Sequence, residues 1–124
     1  MAKHLSARDG VDVDLVDLWE HPLPLFDGPL PRTLRNYPTE DVARLGRRID
    51  AADGFVLLTP EYNHGYSGAL KNAMDHTFVQ GHRKKVAFVG WGNVGAPGLS
   101  NNFDWSPSSL RWHRCVMQCT SCPI

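Results

Sequence analysis

Two apolar runs of strand length, Gly54 to Thr59 and Val86 to Trp91, constrain this chain more than any other feature. Neither alternates with polar residues, so neither offers a side to water, and they predict strands from Gly54 to Thr59 and from Lys84 to Gly90 covered on both faces as in a parallel sheet. Parallel neighbours need a crossover, and the residues between the runs supply one. Ser67 is placed to cap a helix that carries Leu70, Ala73 and Met74 on one face. Upstream, Thr39 offers an N-cap, Glu40 and Asp41 suit the positive end of the helix dipole, and Val42, Leu45 and Ile49 repeat at helical spacing as far as Ala52. Val11, Val13, Leu15 and Leu18 among Asp12, Asp14 and Asp17 predict one more strand, with polar interruptions. Ala2 to Arg8 reads as the end of a helix stopped by Gly10. Between His21 and Pro38 lie five of the nine prolines, which predicts a surface loop. The order strand, helix, strand, helix, strand, joined by right-handed crossovers, is a doubly wound α/β sheet whose ligands sit beyond the carboxyl ends of the strands.

Size and charge narrow the function. With 124 residues the chain is one domain, and thirteen Lys+Arg against thirteen Asp+Glu leave no net charge to attract nucleic acid or an anionic membrane. The apolar runs fall far below the roughly 20 residues that span a bilayer, and no basic, apolar leader opens the chain. We expect a soluble, cytoplasmic protein with a small-molecule ligand.

Two loops leave the carboxyl ends of the predicted buried strands: Pro60-Glu-Tyr-Asn-His-Gly-Tyr-Ser-Gly68 and Gly90-Trp-Gly-Asn-Val-Gly95. In the first, Pro60 stiffens the exit, Gly65 and Gly68 let a flat ring approach the main chain, and Tyr62 and Tyr66 can wall it. An ordinary polar connection with a cap at Ser67 explains the same letters equally well. The second satisfies the spacing of a dinucleotide fingerprint. However, Pro97 and Gly98 stand where its helix should begin, and Asp104 is the only acid downstream.

The long stretch Thr59-Pro-Glu-Tyr-Asn-His-Gly-Tyr-Ser-Gly-Ala-Leu-Lys-Asn-Ala-Met-Asp75 resembles the signature of the NAD(P)H-dependent FMN reductase family, which includes quinone, chromate and azo-dye reductases. The similarity runs from about Val11 to Gly95, with a serine at position 67 where the family commonly has proline. The resemblance implies a flavodoxin-like sheet in which the first loop packs along the isoalloxazine ring through Pro60, Glu61, Tyr62, Asn63, His64 and Gly65. The second loop would border the ring at Gly90 and Gly92. It also implies FMN as cofactor, NAD(P)H as electron donor, a quinone, azo compound or metal oxyanion as acceptor, and homo-oligomers. Because the cofactor performs the chemistry, no side chain is assigned as acid or base.

Measured against that family, both ends of the chain look deficient. The first strand and its phosphate loop are missing, and in the 2-1-3-4-5 sheet order that strand lies between the Val11 and Gly54 strands. Composition breaks near Ala96: all three cysteines and five of the seven serines fall within the last 29 residues. We therefore divide the chain into a partial family domain, 1–95, and a poorly ordered tail, 96–124, that lacks the last helix and strand. A shifted reading frame explains the tail. One frame compatible with residues 100–123 reads EQQLRLVSVELKMAPVRHAVHILP, a helix and then a strand. Its Leu across Asp104 and Trp105, and its Ala across Trp112 and His113 and across Met117 and Gln118, follow from the genetic code whatever bases are chosen. Cys115, Cys119 and Cys122 have the C-x3-C-x2-C spacing of a cluster-binding motif, but only Pro123 and Ile124 follow, so no metal is assigned. An inactive remnant and a cysteine-rich metal-binding module are the rival readings. Lys71 and Asp75 read as a weak surface pair, and His76 and His82 as solvated or helix-terminal residues.

Overall fold

The computed structural model describes residues 2–27 and 37–92, together with the backbone of 114–118. Its elements are α1 (Ala2–Ser6), α2 (Glu40–Ala51), β1 (Gly54–Pro60), α3 (Gly68–His76), α4 (Phe78–Gly81), β2 (Lys85–Trp91) and β3 (Arg114–Gln118). The sheet order is β1-β2-β3, and both pairings are parallel. The parallel α/β architecture is the one expected from the apolar runs.

Local chemistry sets the helix ends. Thr39 Oγ1 accepts from the Val42 amide at 3.3 Å and starts α2, while Ser67 Oγ accepts from the Leu70 amide at 3.3 Å and starts α3. At the far end of α2, Lys84 Nζ donates to the Ile49 and Asp50 carbonyls, 2.6 Å each, placing a cation where the dipole and the orphan carbonyls favour one. Gly10 stops the segment after α1 in a left-handed conformation, φ 77°. Val42 and Leu45 bury the inner face of α2, a contribution of about 1.5–3 kcal/mol each. Gly46 sits mid-helix because a Cβ there would come within 3.0 Å of the Tyr37 ring. That close approach lets the Tyr37 hydroxyl accept a hydrogen bond from the Gln80 amide.

Four expectations are corrected. Val11 to Leu18 forms no strand. The segment has no ladder partner among the described residues, and Val11 and Leu15 are exposed. The β1 run is covered on one face only: Phe55, Leu57 and Thr59 point inward alongside Val86, Phe88 and Gly90, while Val56 and Leu58 are exposed. The tail supplies a strand, β3, which pairs with β2 from Val86↔Arg114 to Gly90↔Gln118. His76 does end α3, but it is fully buried. Its Nε2–H donates to the Pro24 carbonyl at 2.9 Å, and its ring meets Phe26 edge-on at 5.3 Å. Asn72 completes that attachment through Phe26 N (2.8 Å) and Pro24 O (3.0 Å), fastening the proline-rich segment across α3. Lys71 and Asp75 form the expected surface pair at 2.6 Å.

A charged network anchors the segment that failed to become a strand. Arg48 grips both carboxylate oxygens of Asp14, reaches the Leu15 carbonyl at 2.9 Å, and places Nη1 2.7 Å from His21 Nε2. Arg44 Nη2 lies 3.4 Å from the other ring nitrogen. A neutral imidazole accepts at one nitrogen only, so the short Arg48 contact is the hydrogen bond. The Arg48 hydrogen bond and charge hold the Asp14 carboxyl below its ordinary value of 3.8. The sign of the linkage follows: a carboxyl depressed in the folded state adds stability above its unfolded pKa and loses it as pH falls through the folded value. We expect acid denaturation of the native chain to include a component below about pH 4 that Asp14→Asn removes. Urea midpoints at pH 6 and pH 3 check this, and equal losses in both proteins refute it. The effect is small, because Asp14 is mostly exposed and the pair is screened by water and salt.

Candidate functional site

Parallel pairing sets the carboxyl ends of β1 and β2 side by side, in the register Thr59↔Gly90 and Pro60↔Trp91. Both predicted loops therefore begin at one point of the sheet edge. The Glu61 amide donates to the Trp91 carbonyl at 2.8 Å, so the ladder continues one bond into the first loop.

Beyond that bond the chain reverses sharply. Tyr62 and Gly65 exchange two main-chain hydrogen bonds, 2.8 and 2.9 Å, across the central pair Asn63 and His64. Both central residues are left-handed, with φ of 51° and 61°. These features match a type I′ turn, which normally calls for Asn, Asp or Gly at its centre. Asn63 meets that preference. His64 does not, and a non-glycine residue held there stores about 1–3 kcal/mol of backbone strain that the surroundings must offset.

The side chains divide by exposure. The Glu61 side chain is 6% exposed and its carboxylate lies 3.6 Å from the Nδ1 of His64, whose own side chain is 84% exposed. Tyr62 is 63% exposed and Trp91 is also open to solvent, so two aromatic surfaces flank the turn. Gly90 is buried and Gly92 half-buried. The structure thus brings Pro60, Glu61, Tyr62, Asn63, His64, Gly65, Gly90 and Gly92 to one edge. Asn93, Val94 and Gly95 lie outside the described residues, as do Cys119, Cys122 and the side chain of Cys115. Among the described residues no group of three His, Cys, Asp or Glu side chains could hold a metal, and no helix is long and apolar enough to cross a membrane.

Donor chemistry provides the fit test for a flavin. In this turn the inward main-chain groups of Tyr62 and Gly65 are consumed by each other, which directs the amides of the central pair away from the loop. The Asn63 amide makes no hydrogen bond to a described residue. An outward amide beside exposed aromatic faces and glycine backbone matches a flat ring edged with nitrogen and oxygen acceptors. A phosphate finds less. The described residues hold no second glycine-bearing turn running from a strand into a helix, and the α2 N-terminus carries Glu40 and Asp41.

Two parts of this arrangement escaped the sequence reading: the left-handed state of His64, which its residue type does not signal, and the hydroxyl of Thr59. Thr59 is 1% exposed, and its Oγ1 donates to the Pro60 carbonyl (3.0 Å) and accepts from the Ser67 amide (3.2 Å). A polar letter closing an apolar run was the available signal.

Comparison with known proteins points one way. Residues 1–119 match the family described as NADPH-dependent FMN reductase. An NAD(P)H-dependent FMN reductase of Schizosaccharomyces pombe is 41% identical over 86 residues, covering 68% of this chain and 43% of the relative. An NADPH azoreductase of a Bacillus species is 34% identical over 105 residues, covering 82% and 56% respectively. Among solved structures, the flavoenzyme NAD(P)H:(acceptor) oxidoreductase FerB of Paracoccus denitrificans is similar over 63% of this chain and 48% of its own, at 34% identity and a TM-score of 0.48. The chain spans about half the length of the curated relatives it matches.

Proposed function

The chain belongs to the NADPH-dependent FMN reductase family, and on that premise we propose that its carboxyl edge is the ring-binding part of an NAD(P)H-dependent flavin oxidoreductase. The observation that carries this reading is the left-handed turn at Asn63 and His64, fixed where the two parallel strands end together. The chemistry FMN supplies when bound is hydride uptake from NAD(P)H and electron delivery to a small-molecule acceptor such as a quinone, azo compound or metal oxyanion. The chain's own residues bind and orient the ring. Pro60 and the Glu61–Trp91 main-chain bond fix the base of the loop, and the Asn63 and His64 amides meet the edge of the ring. Tyr62 and Trp91 offer their faces, while Gly65, Gly90 and Gly92 keep the main chain accessible. Of the acceptors, an azo compound is supported by the name of the Bacillus relative. A cytoplasmic homo-oligomer belongs to the same proposal, and the chain's zero net charge supports the part of it that leaves out nucleic-acid and anionic-membrane partners. The composition break near Ala96 supports a further part, that residues 96–124 are read out of the family's frame, which sequencing the coding DNA decides.

Titrating the purified chain with riboflavin and FMN, followed by flavin fluorescence, tests the assignment. Both are expected to bind, with dissociation constants above about 1 μM and within about threefold of each other, because the described residues offer partners to the ring and no second glycine-bearing turn to the phosphate. Failure of either flavin to bind at millimolar concentration overturns the flavin reading. Submicromolar FMN with weak riboflavin overturns the claim that the phosphate lacks an anchor.

A further inference from the structure

We propose that Thr59 is a positioning residue of the ring site: its hydroxyl, without touching the flavin, holds the loop in the geometry the ring requires. The inference rests on the flavin reading above and goes further, to what keeps the loop in place before a ligand arrives. A seven-residue excursion separates Thr59 from Ser67, and the Thr59 hydroxyl closes its base, accepting from the Ser67 amide at 3.2 Å and donating to the Pro60 carbonyl at 3.0 Å. The same Ser67 then caps α3 through Leu70. One hydroxyl therefore joins the last inward position of β1 to the first turn of the next helix. On the opposite side of the loop the Glu61 amide donates to the Trp91 carbonyl at 2.8 Å.

Strain makes the clamp necessary. Two consecutive non-glycine residues in left-handed conformations, Asn63 and His64, relax toward ordinary backbone unless the loop ends are fixed. Closing the base restricts where Pro60 and Ser67 sit, and the turn between them is then over-determined. Thr59 is 1% exposed and Ser67 half-buried, so removing the hydroxyl takes from a part-buried amide its acceptor. Its place on the inner face, beside Gly90 in the neighbouring strand, keeps it behind the edge where a ring would lie.

Thr59→Val preserves shape and removes the hydroxyl, whereas Thr59→Ser keeps the hydroxyl and removes a methyl group. Amide hydrogen exchange of Tyr62, Gly65 and Ser67, measured by NMR without ligand, is expected to quicken about tenfold in Thr59→Val and less than about threefold in Thr59→Ser. Riboflavin affinity is expected to fall about tenfold in Thr59→Val and to be retained in Thr59→Ser. Thermal unfolding of both variants is followed in parallel; a serine variant that melts as low as the valine variant yet binds as the native chain does separates positioning from general stability and supports the proposal. Unchanged exchange in Thr59→Val overturns it, and so does quickened exchange with unchanged riboflavin affinity. Absence of riboflavin binding by the native chain overturns the flavin reading instead, and the exchange measurement then still decides whether Thr59 holds the turn.

Discussion

Phe88→Ala is expected to cost about 3–5 kcal/mol and to abolish most of the cooperative unfolding transition. Phe88 is buried at the centre of β2, paired with Leu57 on one side and Val116 on the other, so its ring occupies the middle of the sheet's inner face. The expected loss has two parts, the transfer of the ring and the cavity its removal leaves behind. Domains of this size hold about 5–15 kcal/mol in all. The described core has little in reserve: of its five most completely buried side chains, only Leu45 and Val42 are apolar, the others being His76, Gln80 and Thr59. Two acceptors in that set, His76 Nδ1 and Gln80 Oε1, have no hydrogen-bond partner among the described residues, which withdraws stability elsewhere. Urea unfolding followed by far-ultraviolet circular dichroism measures the change. Phe88→Leu serves as the control and should lose less than about 1.5 kcal/mol. An alanine variant within 1 kcal/mol of the native chain would show that stability resides outside the β1–β2 core.

The largest effect on ligand binding is expected from substituting valine at both Asn63 and His64. Branching at Cβ makes the left-handed region costly, about 1–2 kcal/mol per residue, so the double variant opens the turn and riboflavin affinity should fall about 30-fold or more. Glycine at the same two positions enters that region freely and should bind within a few-fold of the native chain, although it lacks the amide and imidazole side chains. This pair of variants separates backbone from side chain. If glycine weakens binding as much as valine does, the side chains of Asn63 and His64 carry the recognition rather than the main-chain amides.

Features with local causes were legible in the sequence. Thr39 and Ser67 announced their helices because a cap acts within three residues, and the β1 and β2 runs announced two strands of one parallel sheet, although β1 keeps Val56 and Leu58 exposed. What failed depended on partners distant in the chain. Val11 to Leu18 had the letters of a strand, yet a strand exists only in a ladder, and the segment is held instead by Arg48. The apolar letters of Val56 and Leu58 report what could be buried, not what covers them. His76 read as solvated or helix-terminal and does end α3, but its burial depends on Pro24, 52 positions away, which supplies its acceptor. In the tail, attention to the spacing of three cysteines obscured Cys115-Val-Met117, an apolar triplet of strand character that lies within β3. The candidate site was legible as a place, since both loops leave adjacent strand ends. Its tension was not, because histidine, although enriched at positive φ, adopts it in only a minority of cases.

The free edge of β1 also matters during synthesis. On the ribosome, β1 is complete at Pro60, while β2, its only ladder partner among the described residues, is complete at Trp91. At ordinary elongation speeds the interval is on the order of 1–6 s, far longer than a strand needs to find a neighbour. Throughout that interval seven residues without a single charge, Gly54 to Pro60, present two unsatisfied edges, and even after β2 docks no described strand covers the other edge. The nascent chain is therefore most vulnerable to pairing with a neighbour on the same polysome while the α3 segment is being made. Translation rate and chaperone access in that window govern how much soluble protein is recovered.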